Sequence, residues 1–133
     1  MLQRAAHDAR LRAVVSEGAG VRSLREHLHT PGLGTVQRWA TNWIVQTAAV
    51  ATLSGTAPPA DLAALCEQVG PRPVLLIRAV DGHADEALNT VYAERIGPSA
   101  SLWTAPGGHT GALAADPAAY ERRVVGFFDA ALR

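Results

Sequence analysis

The run Pro71-Arg72-Pro73-Val74-Leu75-Leu76-Ile77 decides how this chain folds. Two prolines lead into four consecutive apolar residues with no polar residue between them. A strand with one face in water alternates apolar and polar positions, whereas a strand covered on both faces does not. Unbroken runs of this kind belong to parallel sheets with helices on each side. Parallel strands need long crossovers, so helix–strand units should flank the run. Upstream, residues 11–16 read as a short β-branched strand that ends at Glu17-Gly18-Ala19-Gly20. Downstream, a helix over 85–96, stopped by Gly97-Pro98, leads to a third strand over 100–105. The fold class is therefore α/β: a partial doubly wound parallel sheet of about three strands, joined by right-handed crossovers.

The helices have legible ends. Residues 1–9 are expected to be helical. Ser23 caps a short helix through His29, with Glu26 at capping-box spacing. Pro31-Gly32-Leu33-Gly34 breaks the chain, and Thr35 opens a longer helix closed by Gly55. In it Val36, Trp39, Ala40, Trp43, Ile44, Thr47 and Ala51 recur with helical period. Trp39 and Trp43 share a face, and packing is a better account of them than a substrate pocket. After the rigid connector Thr56-Ala57-Pro58-Pro59, Asp61 caps a helix carrying Leu62, Leu65, Cys66 and Val69, with Gly70 at its end. Asp116-Pro117 is an N-cap followed by an N1 proline. It opens a terminal helix with Tyr120, Val124, Phe127, Phe128 and Ala131 on the inner side.

Composition excludes several functions. The 133 residues suit one domain, and 48% hydrophobic against 18% charged content predicts a folded chain. Twelve basic and twelve acidic residues cancel to a formal net charge of zero, so no basic footprint for nucleic acid or an anionic membrane exists. The single cysteine, Cys66, rules out an internal disulfide and reads as an inert buried thiol. His27 and His29 are two apart and diverge on a helix, so no metal and no cofactor are expected. The N-terminus lacks the apolar core of a signal peptide. Residues 43–53 are too short for a span and carry Gln46 and two threonines. These features predict a cytoplasmic protein.

Open parallel sheets gather ligands and reactive groups at the carboxyl ends of their strands. Three loops meet that condition: 17–20, 81–85 and 107–111. The last lies in Leu102-Trp103-Thr104-Ala105-Pro106-Gly107-Gly108-His109-Thr110-Gly111, where glycines surround a single histidine. A histidine oriented by a carboxylate from the preceding strand end is the base half of a Ser-His-Asp arrangement. Asp81, directly after the strand, and Asp85 are the candidate acids. Asp85 fits an N-cap equally well. Glu86 is a third choice, better read as a first-turn partner of the helix dipole. His83 reads as a solvated loop residue and Glu17 as structural.

On these residues the chain resembles the C-terminal half of an α/β-hydrolase of the dienelactone-hydrolase or prolyl-oligopeptidase-like kind. "RLRAVVSEGAG" is similar to the strand after the nucleophile helix, "PRPVLLI" to the acid-bearing strand, and "SLWTAPGGHTGAL" with "DPAAYERRVVGFFDAAL" to the last strand, histidine loop and terminal helix. The resemblance implies one partial domain over 1–133, with 23–70 as a helical cap-like insertion. It implies hydrolysis of a small ester or amide through an acyl-enzyme, with His109 as base and Asp81 or Asp85 as acid. In such enzymes the nucleophile lies in G-x-S-x-G ahead of the acid and the histidine. None of Ser16, Ser23, Ser54, Ser99 and Ser101 lies in that pattern. Residues 1–9 match the tail of the helix after the nucleophile, so the serine is expected upstream of Met1 and this chain alone is expected to be inactive. The alternative is a small non-catalytic α/β module that binds a partner or self-associates through an exposed sheet edge.

Overall fold

A computed structural model describes residues 1–29, 36–54 and 61–133. The Pro31–Gly34 break, the Thr35 start, the Gly55 stop and the 56–59 connector lie outside the described residues, as does the side chain of Trp39. The elements in chain order are α1 (Leu2–His7), β1 (Val14–Glu17), α2 (Leu24–His29), α3 (Val36–Ser54), α4 (Leu62–Cys66), β2 (Val74–Asp81), a 3-10 turn (Ala84–Ala87), α5 (Leu88–Ile96), β3 (Ala100–Gly108), α6 (Ala112–Ala115) and α7 (Pro117–Ala131).

The three strands form one parallel sheet in the order β1-β2-β3. Val14 lies opposite Val74, and Val74 opposite Ala100. The unbroken apolar run of β2 is explained by its central place. Val74 and Leu76 enter one layer with Leu2, Leu65, Val69, Leu88, Tyr92 and Ile96, from α1, α4, α5 and the turn after α4. Leu75 and Ile77 enter the other with Trp103, Ala105 and Ala112, covered by Tyr120, Val124 and Phe127 of α7. Both faces of β2 are dry, so neither register of the alternation needs a polar residue. Cys66 is fully buried in the first layer, and burial pushes its thiol up to about 12.

The local caps form where the sequence places them. The Asp61 carboxylate accepts the Ala64 N–H at 3.1 Å, and that of Asp116 accepts the Ala119 N–H at 2.9 Å. Ser23 Oγ accepts the Glu26 N–H, while Glu26 Oε2 accepts the Ser23 N–H, each at 3.1 Å. Several element ends differ from expectation. α1 ends at His7, α4 stops at Cys66, and β1 starts at Val14. β2 continues to Asp81, and β3 runs through Pro106 to Gly108. Proline survives in β3 because the strand is an edge, where one side of the backbone needs no partner. A separate short helix, α6, precedes α7.

The two layers are unequal. Tyr120, Val124, Phe127, Phe128 and Ala131 form the inner side of α7, yet each is only half-buried. β1 is also an edge: Val14 and Gly18 donate to Pro73 and Ile77 of the β2 side. By the alternation of a parallel ladder the backbone groups of Val15 and Glu17 face away. No described strand pairs with them. Among the described residues no helix is long and apolar enough to cross a membrane.

Candidate functional site

The carboxyl ends of all three strands converge on His109. β3 reaches it through an irregular register. Ala79 lies opposite Ala105, but Asp81 lies opposite Gly108, so β3 holds one extra residue. Gly107 accommodates this bulge at φ +94, which L side chains rarely adopt. A Cβ there would also meet Ala115 Cβ at 2.9 Å. A tight turn follows, closed by the Gly111 N–H on the Gly108 carbonyl at 2.9 Å. Within it Thr110 takes φ 53, an uncommon state for a β-branched residue and one that costs on the order of 1–3 kcal/mol. Glu17, at the end of β1, accepts the Ala112 N–H at 3.0 Å and pins the start of α6 behind this turn.

His109 Nδ1 lies 2.8 Å from Glu86 Oε1. The Glu86 side chain is 3% exposed and that of His109 39%. Glu86 makes two further contacts: Oε2 accepts the Ala79 N–H at 2.8 Å, and Oε1 accepts the His83 N–H at 3.2 Å. Burial by itself raises the Glu86 pKa. The Ala79 N–H, the His109 imidazole and the His83 N–H outweigh it and hold the carboxyl below its ordinary value. An ionised Glu86 only accepts hydrogen bonds, so Nδ1 carries a proton, and in the neutral ring Nε2 keeps its lone pair. Among the described residues Nε2 has no hydrogen-bond partner.

The carboxylate on His109 is thus neither of the two expected ones. Asp81 sits in the exposed tail of β2, and its side chain makes no hydrogen bond among the described residues. Asp85 lies inside the 3-10 turn rather than at a cap, and its Oδ2 accepts the Val21 N–H at 3.1 Å. It clamps the loop after β1 instead of orienting the histidine. Glu86 was legible as a first-turn carboxylate, and it does take the His83 N–H in that capacity. The pairing with His109 had no local signal, because β2 is four residues longer than its apolar run and this sets the phase of the turn. His83 is exposed, but its ring stacks on that of His109, with centroids 4.3 Å apart and planes 10° apart. A cavity of about 360 Å³ opens beside the pair, lined by Arg78, Gly82, His83, Glu86 and Thr104 among others. The Arg78 Nε donates to Thr104 Oγ1 at 2.9 Å. Among the described residues no three His, Cys, Asp or Glu side chains are grouped to hold a metal ion.

Two expected results follow from this geometry. The folded pKa of Glu86 is depressed, so its contribution to stability is complete above the unfolded value of about 4.3. That contribution is lost as pH falls through the lower folded value. The stability difference between the wild type and Glu86→Ala, from urea titrations at pH 3 to 7, is expected to shrink below about pH 4. A difference that stays constant with pH would contradict an ionised Glu86. The second result concerns Gly18, whose φ is +63 and whose added Cβ would lie 2.8 Å from His109 Cε1 and 3.0 Å from Nδ1. Gly18→Ala is expected to cost about 2 kcal/mol, from left-handed strain and displacement of the ring. Urea unfolding measures the cost, and the shifted His109 imidazole resonances report the displacement.

No protein-family model matches the chain, and no curated protein is significantly similar to it in sequence.

Proposed function

We propose that this chain supplies the acid–base half of a serine-hydrolase centre, as the C-terminal half of an α/β-hydrolase acting on a small ester or amide. The observation that carries the reading is the contact of 2.8 Å between His109 Nδ1 and the buried, ionised Glu86 at the carboxyl ends of a parallel sheet. In this reading Glu86 fixes the tautomer and stabilises the imidazolium. Nε2 takes the proton of a hydroxyl nucleophile as it attacks the carbonyl carbon, then returns it to the leaving group. None of Ser23, Ser99 and Ser101 is placed to serve as that nucleophile. Ser23 caps α2, Ser101 Oγ donates to the Val74 carbonyl, and Ser99 precedes β3 at the opposite end of the strands. In this reading the nucleophile and oxyanion donors are supplied by another segment or a partner.

The test is complementation. Residues 1–133 alone are expected to show no turnover of p-nitrophenyl esters. Joined to the segment encoded upstream, the chain is expected to turn them over and to be labelled on serine by a fluorophosphonate. His109→Ala should then reduce kcat by about 10⁴-fold or more. Labelling and turnover that survive His109→Ala would refute the assignment. The open edge of β1 and the half-buried inner side of α7 favour a second reading, a module that associates through this side of the sheet. A monomer with a cooperative melt in size-exclusion and thermal experiments would argue against it.

A further inference from the structure

We propose that His83 is a positioning residue for His109, holding the plane of its imidazole so that Nδ1 stays on Glu86. The inference rests on the reading of Glu86 and His109 as an acid–base pair. His109 needs such help. Its backbone runs from two glycines into the Thr110-Gly111 turn, its side chain is 39% exposed, and one hydrogen bond at Nδ1 is the only polar contact of its ring among the described residues. A single hydrogen bond fixes one atom of a ring but leaves the ring free to swing about that contact. A flat surface against the ring face removes this freedom.

His83 supplies that surface. The two imidazoles are nearly parallel, 10° between planes and 4.3 Å between centroids, a stacked pair just closer than the roughly 4.5 Å lower end usual for larger aromatic rings. The backbone at Gly18 closes in on the Cε1–Nδ1 edge, where even one added carbon would collide. The main-chain N–H of His83 also donates to Glu86 Oε1, the oxygen that receives His109 Nδ1. One residue therefore orders the acceptor through its backbone and the donor ring through its side chain. The His83 ring belongs to neither core layer, so its substitution leaves the packing of the sheet intact. That backbone contact survives substitution by alanine or phenylalanine, both of which keep the N–H.

The experiment is imidazole NMR on the 133-residue chain, reading the nitrogen shifts that report the tautomer and the protection of the Nδ1 proton. In the wild type, His109 is expected to show one tautomer, Nδ1–H, and a protected N–H signal that disappears in Glu86→Ala. His83→Ala is expected to move the His109 nitrogens toward values averaged over both tautomers and to abolish the protected signal, with the backbone amide spectrum retained outside the site. His83→Phe keeps a flat ring and is expected to restore both. A His83→Ala chain that keeps the single tautomer and its protected proton would overturn the proposal, as would a phenylalanine variant as defective as alanine. A wild-type chain with no Glu86-dependent imidazole signal would overturn the pair and this role together. Failure of the hydrolase reading is scored separately, by serine labelling in the complemented protein.

Discussion

Glu86→Ala is expected to lower the unfolding free energy by about 3 kcal/mol near neutral pH and to release His109 from its fixed tautomer. The side chain is 3% exposed and accepts from the Ala79 N–H, the His83 N–H and His109 Nδ1. Alanine leaves the half-buried Ala79 N–H without its acceptor. A buried donor left in that state costs about 1–3 kcal/mol, and hydrogen bonds to a charged acceptor lie at the upper end. The His83 N–H is nearer solvent and adds less. Urea denaturation measures the loss, and a change below about 0.5 kcal/mol would show that the carboxylate does not order this turn. In a complemented enzyme the same variant is expected to lower kcat by about 10⁴-fold, the effect of disabling an orienting acid. Glu86→Gln should fall between the two. It preserves volume and one acceptor, but its NH₂ faces either the Ala79 N–H or both the His83 N–H and the His109 Nδ1–H, so at least one of the three contacts becomes repulsive.

The larger structural effect is expected at Glu26. Its side chain is buried and accepts the Arg22 N–H and the Ala63 N–H at 2.7 Å, the Ser23 N–H at 3.1 Å and the Tyr92 hydroxyl at 3.3 Å. These donors belong to the start of α2, the first turn of α4 and the inner side of α5. One carboxylate thus joins three helices. Burial, and then the nearby Glu26 charge, push the Tyr92 hydroxyl above its ordinary range. Glu26→Ala is expected to cost about 4 kcal/mol, since one buried donor, the Tyr92 hydroxyl, and three part-buried N–H groups lose their acceptor at once. Ser23→Ala removes only the cap on the Glu26 N–H and is expected to cost about 1 kcal/mol. Comparable losses for the two variants in urea titrations would show that Glu26 acts only as a capping residue.

These two carboxylates illustrate what local pattern reveals. The Ser23–Glu26 capping box is a contact across three residues, so the residue types at that spacing are enough to predict it. The reach of the other Glu26 oxygen to Ala63 spans 37 residues, and nothing near Glu26 signals it. The same holds in the acid segment. Asp81, Asp85 and Glu86 lie within six residues of one another, and any of them follows the apolar run closely enough to meet a histidine from the next strand. Which one does is set by how far β2 continues past its apolar run and by the phase of the 3-10 turn after it.

The sequence by itself determined the parallel α/β sheet, the double-sided burial of β2, the caps of α2, α4 and α7, and the histidine at the end of β3. All of these rest on interactions a few residues apart or on the apolar periodicity of single elements. Only the tertiary structure decided that Glu86 meets His109 across 23 residues, while Asp85 turns to Val21 across 64. A carboxylate chooses among backbone N–H donors and an imidazole by where folded strands deliver them, and that geometry is not a property of any local stretch.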